Sequence, residues 1–252
     1  MNFFKKDPNY LLVRFLKKSF IFFFLVILFY KSSHQQFHFE LKFLLFLPVA
    51  MILGLVSATA FHNASHGNIK PKWLNTLVGE LTANLSLEDL KCFTVGHMLH
   101  HKYTDTENDP HPPGKQSFIE FILNSRNNTI RIITKFYYEY HGENEKNKLN
   151  IKMQLVVFHI LALLKLILLF LLLGPIVFVF FYIPFYFSYF LGFAHLNYIS
   201  HLPNENGVVE IKNNFDTIFY KIMNILTSGG YYHKNHHLYP TLYNPSNVRK
   251  KL

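Results

Sequence analysis

The chain has 252 residues, half of them apolar and 17% aromatic, with 28 phenylalanines, a composition that exceeds an ordinary soluble domain and points to a membrane. Its single cysteine, Cys92, excludes a disulfide framework and a thiolate metal site and reads as a small buried residue. The formal charge of +10 is spread over segments that flank apolar stretches, which fits cytoplasmic loops facing anionic lipid and argues against nucleic acid as a partner.

The amino-terminal 18 residues are basic, and an apolar run over about 15–30 follows. Lys17 and Lys18 interrupt it and can snorkel to the interface. No small residues suited to a cleavage site follow Tyr30, so the run is expected to be an uncleaved span. A second span is predicted over 41–61. The run from 154 to 194 is about twice the ~20 residues one span requires. Gly174-Pro175 breaks it, giving spans over 154–173 and 175–194. Lys165 is the one charge inside. Four spans put the amino terminus, residues 62–153 and the carboxyl-terminal segment on one side. Those segments carry 22 of the 25 Lys and Arg residues, which makes that side cytoplasmic. The predicted fold is all-α: one integral membrane domain over 1–252, with two helical hairpins under a cytoplasmic helical cap. Residues 117–138 and 215–226 mix apolar and basic residues and read as amphipathic helices.

Four short boxes carry the chemistry: His62-Asn63-Ala64-Ser65-His66, His97-Met98-Leu99-His100-His101, Asn197-Tyr198-Ile199-Ser200-His201 and His233-Lys234-Asn235-His236-His237. Residues three and four apart share a helix face, so each box presents its imidazoles together. The boxes form two pairs. His66 and His97 are 31 residues apart, and His201 and His233 are 32 apart. Each pair follows a two-span hairpin, so two similar cassettes are expected to meet above the bilayer. Nine imidazoles exceed the ligand number of one ion; shared between two, they leave each with four or five nitrogens. Such sites suit iron, copper or zinc, and structural zinc prefers four ligands, usually with Cys. A redox-active pair, iron, is the better fit. The predicted metal ligands are His62, His66, His97, His100, His101, His201, His233, His236 and His237. His195, two residues before Asn197, is either a further ligand or a satisfied interfacial histidine, and the second reading is the better one.

At these residues the chain resembles the membrane fatty-acid desaturase superfamily, over roughly 40–245. "HMLHHKYTDTENDPH" resembles the second box of acyl-chain desaturases, and "GGYYHKNHHLYP" resembles their third. Asn197 and His201 match the Asn-x-x-x-His element. The resemblance implies a cytosolic, non-haem di-iron centre that uses O2 to desaturate a long-chain acyl lipid or thioester. It also implies that Asn197 reaches one ion through water. Asp109 and His111 are candidates to hold a ligand or to touch a substrate headgroup. Hydrogen removal from an unactivated methylene needs an oxidant that no side chain supplies. The chain shows no flavin, haem or nicotinamide motif, so an external electron donor of ferredoxin or cytochrome b5 type is expected. "HNASH" has three intervening residues, as in carotenoid ketolases and acyl-lipid desaturases. A di-iron hydroxylase or ketolase acting on a carotenoid, alkane or other lipid is therefore the alternative. A metal transporter is a remote one, because it should carry its polar ligands near the bilayer midplane.

Overall fold

The computed structural model describes residues 4–29, 39–204 and 206–250. Among the described residues, nine α-helices run in chain order: α1 (Tyr10–Phe29), α2 (Phe46–His66), α3 (Lys72–Leu85), α4 (Leu90–Tyr103), α5 (Phe118–His141), α6 (Glu145–Val177), α7 (Ile183–Ser200), α8 (Ile218–Leu226) and α9 (His233–Leu238). A 3-10 turn over Leu41–Leu45 leads into α2, and a π-helical turn over Phe178–Tyr182 joins α6 to α7. No strand occurs among the described residues; Pro203 and Val209 form an isolated bridge.

Among the described residues, two helical runs are long and apolar enough to cross a membrane, Leu41–His66 and Glu145–Ser200. The second is broken at Gly174, whose φ of 73° and ψ of 164° lie outside the helical region. Only glycine adopts such a backbone without strain, and Pro175 removes the next donor. The break therefore falls where Gly174-Pro175 predicts it. α1 differs from the expected 15–30 span. It starts at Tyr10, so Arg14, Lys17 and Lys18 all lie within it, and it is not among the two runs. Residues 30–38, including Tyr30 and Lys31, lie outside the described part. Arg14 binds Glu80 of α3 and reaches Asp89, 3.1 Å away, at the head of α4. α1 is thus tied to the α3–α4 pair by charge as well as by apolar contact. Lys165 is buried, with its Nζ 4.7 Å from the Phe15 ring centre. Phe15 covers the ammonium within α6 by a cation–π contact.

α2 and α7 form the most closely packed pair. A Cβ at Gly54 would collide with the Phe185 carbonyl oxygen, and Gly192 sits directly over Leu55. Ser188 Oγ donates to the Met51 carbonyl at 2.7 Å. Small residues that let backbones approach, with a hydroxyl bridging them, are the usual means of holding apolar helices together in lipid.

Chain reversals place the helix ends. α2 stops after His66 because Gly67 adopts the left-handed conformation, φ 74°, and its N–H bonds back to the last turn. Asn75 of α3 donates to the Ala64 carbonyl and accepts from Ile69 N–H, which folds α3 back along α2. Asp89 caps α4 by accepting from Cys92 N–H at 2.7 Å. Cys92 is half-buried rather than enclosed. Ser117 and Glu120 form a capping box at the start of α5. Both amphipathic stretches are helical, as α5 and α8. Val95 and Leu99 of α4 pack with Ile132 and Tyr137 of α5, and Phe61 of α2 packs with Ala83, Leu90 and Tyr189. These two clusters fix α4 beside the end of α2.

Candidate metal centre

Four helix ends meet at one place. α2 presents His62 and His66 one turn apart in its last turns. α4 presents His97 and His101 on one face with His100 beside them. His201 stands at the carboxyl end of α7, and α9 is little more than the box His233–Leu238. All nine predicted histidines come together, in two groups. His62, His66, His97, His101 and His236 form one; His100, His201, His233 and His237 form the other. Within each group the nitrogens that could face an ion lie within 4.8 Å of one another. The groups adjoin, with His101 and His237 ring centres 4.3 Å apart.

The division follows from helical geometry, with one exchange. Positions i and i+4 of each His-x-x-His-His box point the same way. His97 and His101 thus stay with His62 and His66 of their own cassette, while His233 and His237 stay with His201. The i+3 residue points aside. His100 joins the second cassette's group, and His236 joins the first's. The cassettes are therefore interlocked rather than merely adjacent.

Ring nitrogens converge on each centre. His97 Nε2 lies 2.8 Å from His62 Nε2, 2.9 Å from His66 Nε2 and 3.1 Å from His101 Nε2. His101 Nε2 is 3.0 Å from His236 Nε2. In the other group His233 Nε2 is 3.0 Å from His201 Nε2 and 3.1 Å from His237 Nε2. One N–H can serve only one lone pair, so three nitrogens facing a fourth leave lone pair against lone pair unless a cation lies between them. The donor set therefore fits a metal ion at each centre. Burial and mutual repulsion hold His97, His100, His233 and His236 well below their ordinary range. Burial also brings His237 down to about 2. The lowered values of these five favour the neutral ring, the form that binds metal.

Carboxylates support one group. Asp109 is fully buried, and its Oδ1 is 2.8 Å from His100 Nδ1. A carboxylate accepts, so Nδ1 carries the proton and the lone pair is on His100 Nε2, a buried atom with no hydrogen-bond partner. Burial pushes the Asp109 carboxyl up, and the N–H groups of His111 and Asp105 act against that. Asp105, not singled out in the sequence, accepts from His201 Nδ1 at 3.0 Å. It lies 96 positions from His201 in the chain, so no local spacing marks it.

Asn197 is buried and near the site. Its Nδ2 donates to the Phe193 carbonyl at 2.9 Å, which leaves Oδ1 buried and unpartnered. It lines a cleft with Leu55, Leu196, His62, His233 and His236. His111 belongs to neither group. Its ring is 5.9 Å from that of His100, and its Nδ1 is 3.2 Å from Thr129 Oγ1. His195 also stays out, with its Nδ1 2.8 Å from the Tyr231 hydroxyl.

No individual curated protein compared with the chain matches it. The fatty acid desaturase family pattern matches residues 41–245, a stretch that holds both histidine groups. A di-metal, lipid-oxidising centre is what that family places at its histidine boxes, and on this match the chain belongs to the fatty acid desaturase family.

Proposed function

We propose that the chain is an O2-dependent fatty-acyl desaturase that introduces a double bond into a long acyl chain. Two adjacent centres, lined by converging imidazoles and no thiolate, carry this reading in a chain of this family. The nine histidines would hold two iron ions, with Asn197 Oδ1 reaching one of them through water. Bound iron would supply the activation of O2 that attack on an unactivated methylene requires, with electrons from a ferredoxin or cytochrome b5 type donor.

The protein's own part is placement. Leu55 and Leu196 give the cleft apolar walls that suit a hydrocarbon chain, and His62, Asn197, His233 and His236 border the same space. A methylene held there lies beside the centre, and the apolar walls exclude water from it. The apolar runs Leu41–His66 and Glu145–Ser200, the second broken at Gly174, would supply three spans of a single four-span domain and α1 the fourth, and the Lys and Arg distribution favours histidine groups that face the cytoplasm. The test is acyl-lipid profiling of cells that express the wild type or His100→Ala together with a donor. A product lighter by two hydrogens, present with the first and absent with the second, is expected. A product that has gained oxygen would replace this reading with hydroxylation or ketolation, and unchanged profiles would refute both.

A further inference from the structure

The two histidine groups differ in what stands behind them. Behind the four-histidine group are two carboxylates, Asp109 on His100 Nδ1 and Asp105 on His201 Nδ1. Behind the five-histidine group no Asp or Glu among the described residues pairs with a ring, and His97 Nδ1 is buried with no partner. The aspartates are nested. Asp109 Oδ2 accepts from the Asp105 N–H at 2.7 Å, and Asp109 Oδ1 accepts from the His111 N–H at 2.7 Å. Asp105 has a φ of 60°, a conformation that aspartate and asparagine tolerate better than other side chains. Asn128 Nδ2 donates to the carbonyls of Asp109 and Pro110 and fastens the loop to α5. The segment after α4 therefore delivers both carboxylates to the same side of the centre.

A carboxylate on Nδ1–H fixes the tautomer, orients the ring and makes Nε2 a stronger donor. We infer that Asp105 and Asp109 are positioning residues that make the two ion sites unequal, strengthening the four-histidine site alone. The inference rests on the reading of the nine histidines as ligands. Co2+ added to metal-free, detergent-purified full-length chain, followed by visible absorption, tests it. The wild type takes up Co2+ in two phases. Asp105→Asn keeps a hydrogen-bond acceptor and a compatible backbone but removes the charge. It weakens one phase by about 10- to 100-fold and shifts that phase's bands, leaving the other phase unchanged. Asp109→Asn weakens the same phase. His201→Ala abolishes that phase, and His66→Ala, which leaves four imidazoles in its group, weakens the other. The inference is overturned if Asp105→Asn matches the wild type, if it weakens both phases alike, or if the phase it weakens is the one weakened in His66→Ala. A wild-type chain that takes up no Co2+ refutes the ligand reading itself, a distinct result.

Discussion

His195 and His201 sit six positions apart at the end of one helix, and their surroundings give them different work. His195 Nδ1 is 2.8 Å from the Tyr231 hydroxyl, and its ring lies edge-on to Phe118 and Phe219. His201 is fully buried, with Asp105 on one nitrogen and His233 on the other. An imidazole enclosed by aromatic rings and a phenol is satisfied without a cation; one oriented by a carboxylate, with its other nitrogen turned toward further imidazoles, fits the proposed ligand role. His195→Phe is therefore expected to leave the metal content of the purified protein at the wild-type level. His201→Ala should lower it by about one ion per chain, because it removes one of the four nitrogens and leaves Asp105 with no ring to orient. Elemental analysis after dialysis distinguishes them, and equal losses would remove the distinction between the two histidines.

The helices reach the centre through close approaches that single substitutions can probe. Gly54 and Gly67 both lie in or just after α2, for different reasons. Gly54 faces α7, where a Cβ would meet the Phe185 carbonyl and lie 2.9 Å from Tyr189 N. Gly67 has a φ of 74° and open space around it. Gly67→Ala should cost only the left-handed backbone, about 1 kcal/mol. Gly54→Ala must force α2 and α7 apart, so its thermal midpoint in detergent should fall further. The reverse order would mean that the two helices do not depend on this contact. Ser117→Ala, which removes the exposed capping box of α5, should cost about 1 kcal/mol. What the sequence made legible has the same local character. The boxes and the Gly174 break are read from neighbours within four residues, where helical period and proline chemistry operate. The start of α1 was not legible, because Arg14 is neutralised by Glu80 and Asp89, 66 and 75 positions away. The exchange of His100 and His236 was hidden for the same reason: it depends on how two cassettes dock, which no spacing within either one encodes.

At the scale of the whole molecule, two groups of imidazoles, several of them buried with lowered proton affinity, sit where the helix ends converge, so the metal-free fold is expected to be acid-sensitive. The ordinary histidine value is 6.5, and His97, His233 and His236 are held well below it while His237 is brought down to about 2. Above 6.5 neither the folded nor the unfolded chain protonates these rings, and their contribution does not vary. Below 6.5 the unfolded chain binds protons that the folded chain refuses, so stability falls with pH and keeps falling toward the depressed values. A cation that binds only the folded form opposes this, because it stabilises that form by mass action. The thermal midpoint of metal-free protein should therefore drop steadily as pH is lowered from about 7 to about 5. Metal-loaded protein should stay above it throughout, with the gap given by the metal's affinity at each pH. Unequal sites would add a second feature: as chelator is raised at fixed pH, the loaded midpoint should fall in two steps, and Asp105→Asn should move only one of them. A single step in both proteins would mean that the nine histidines act as one undivided site.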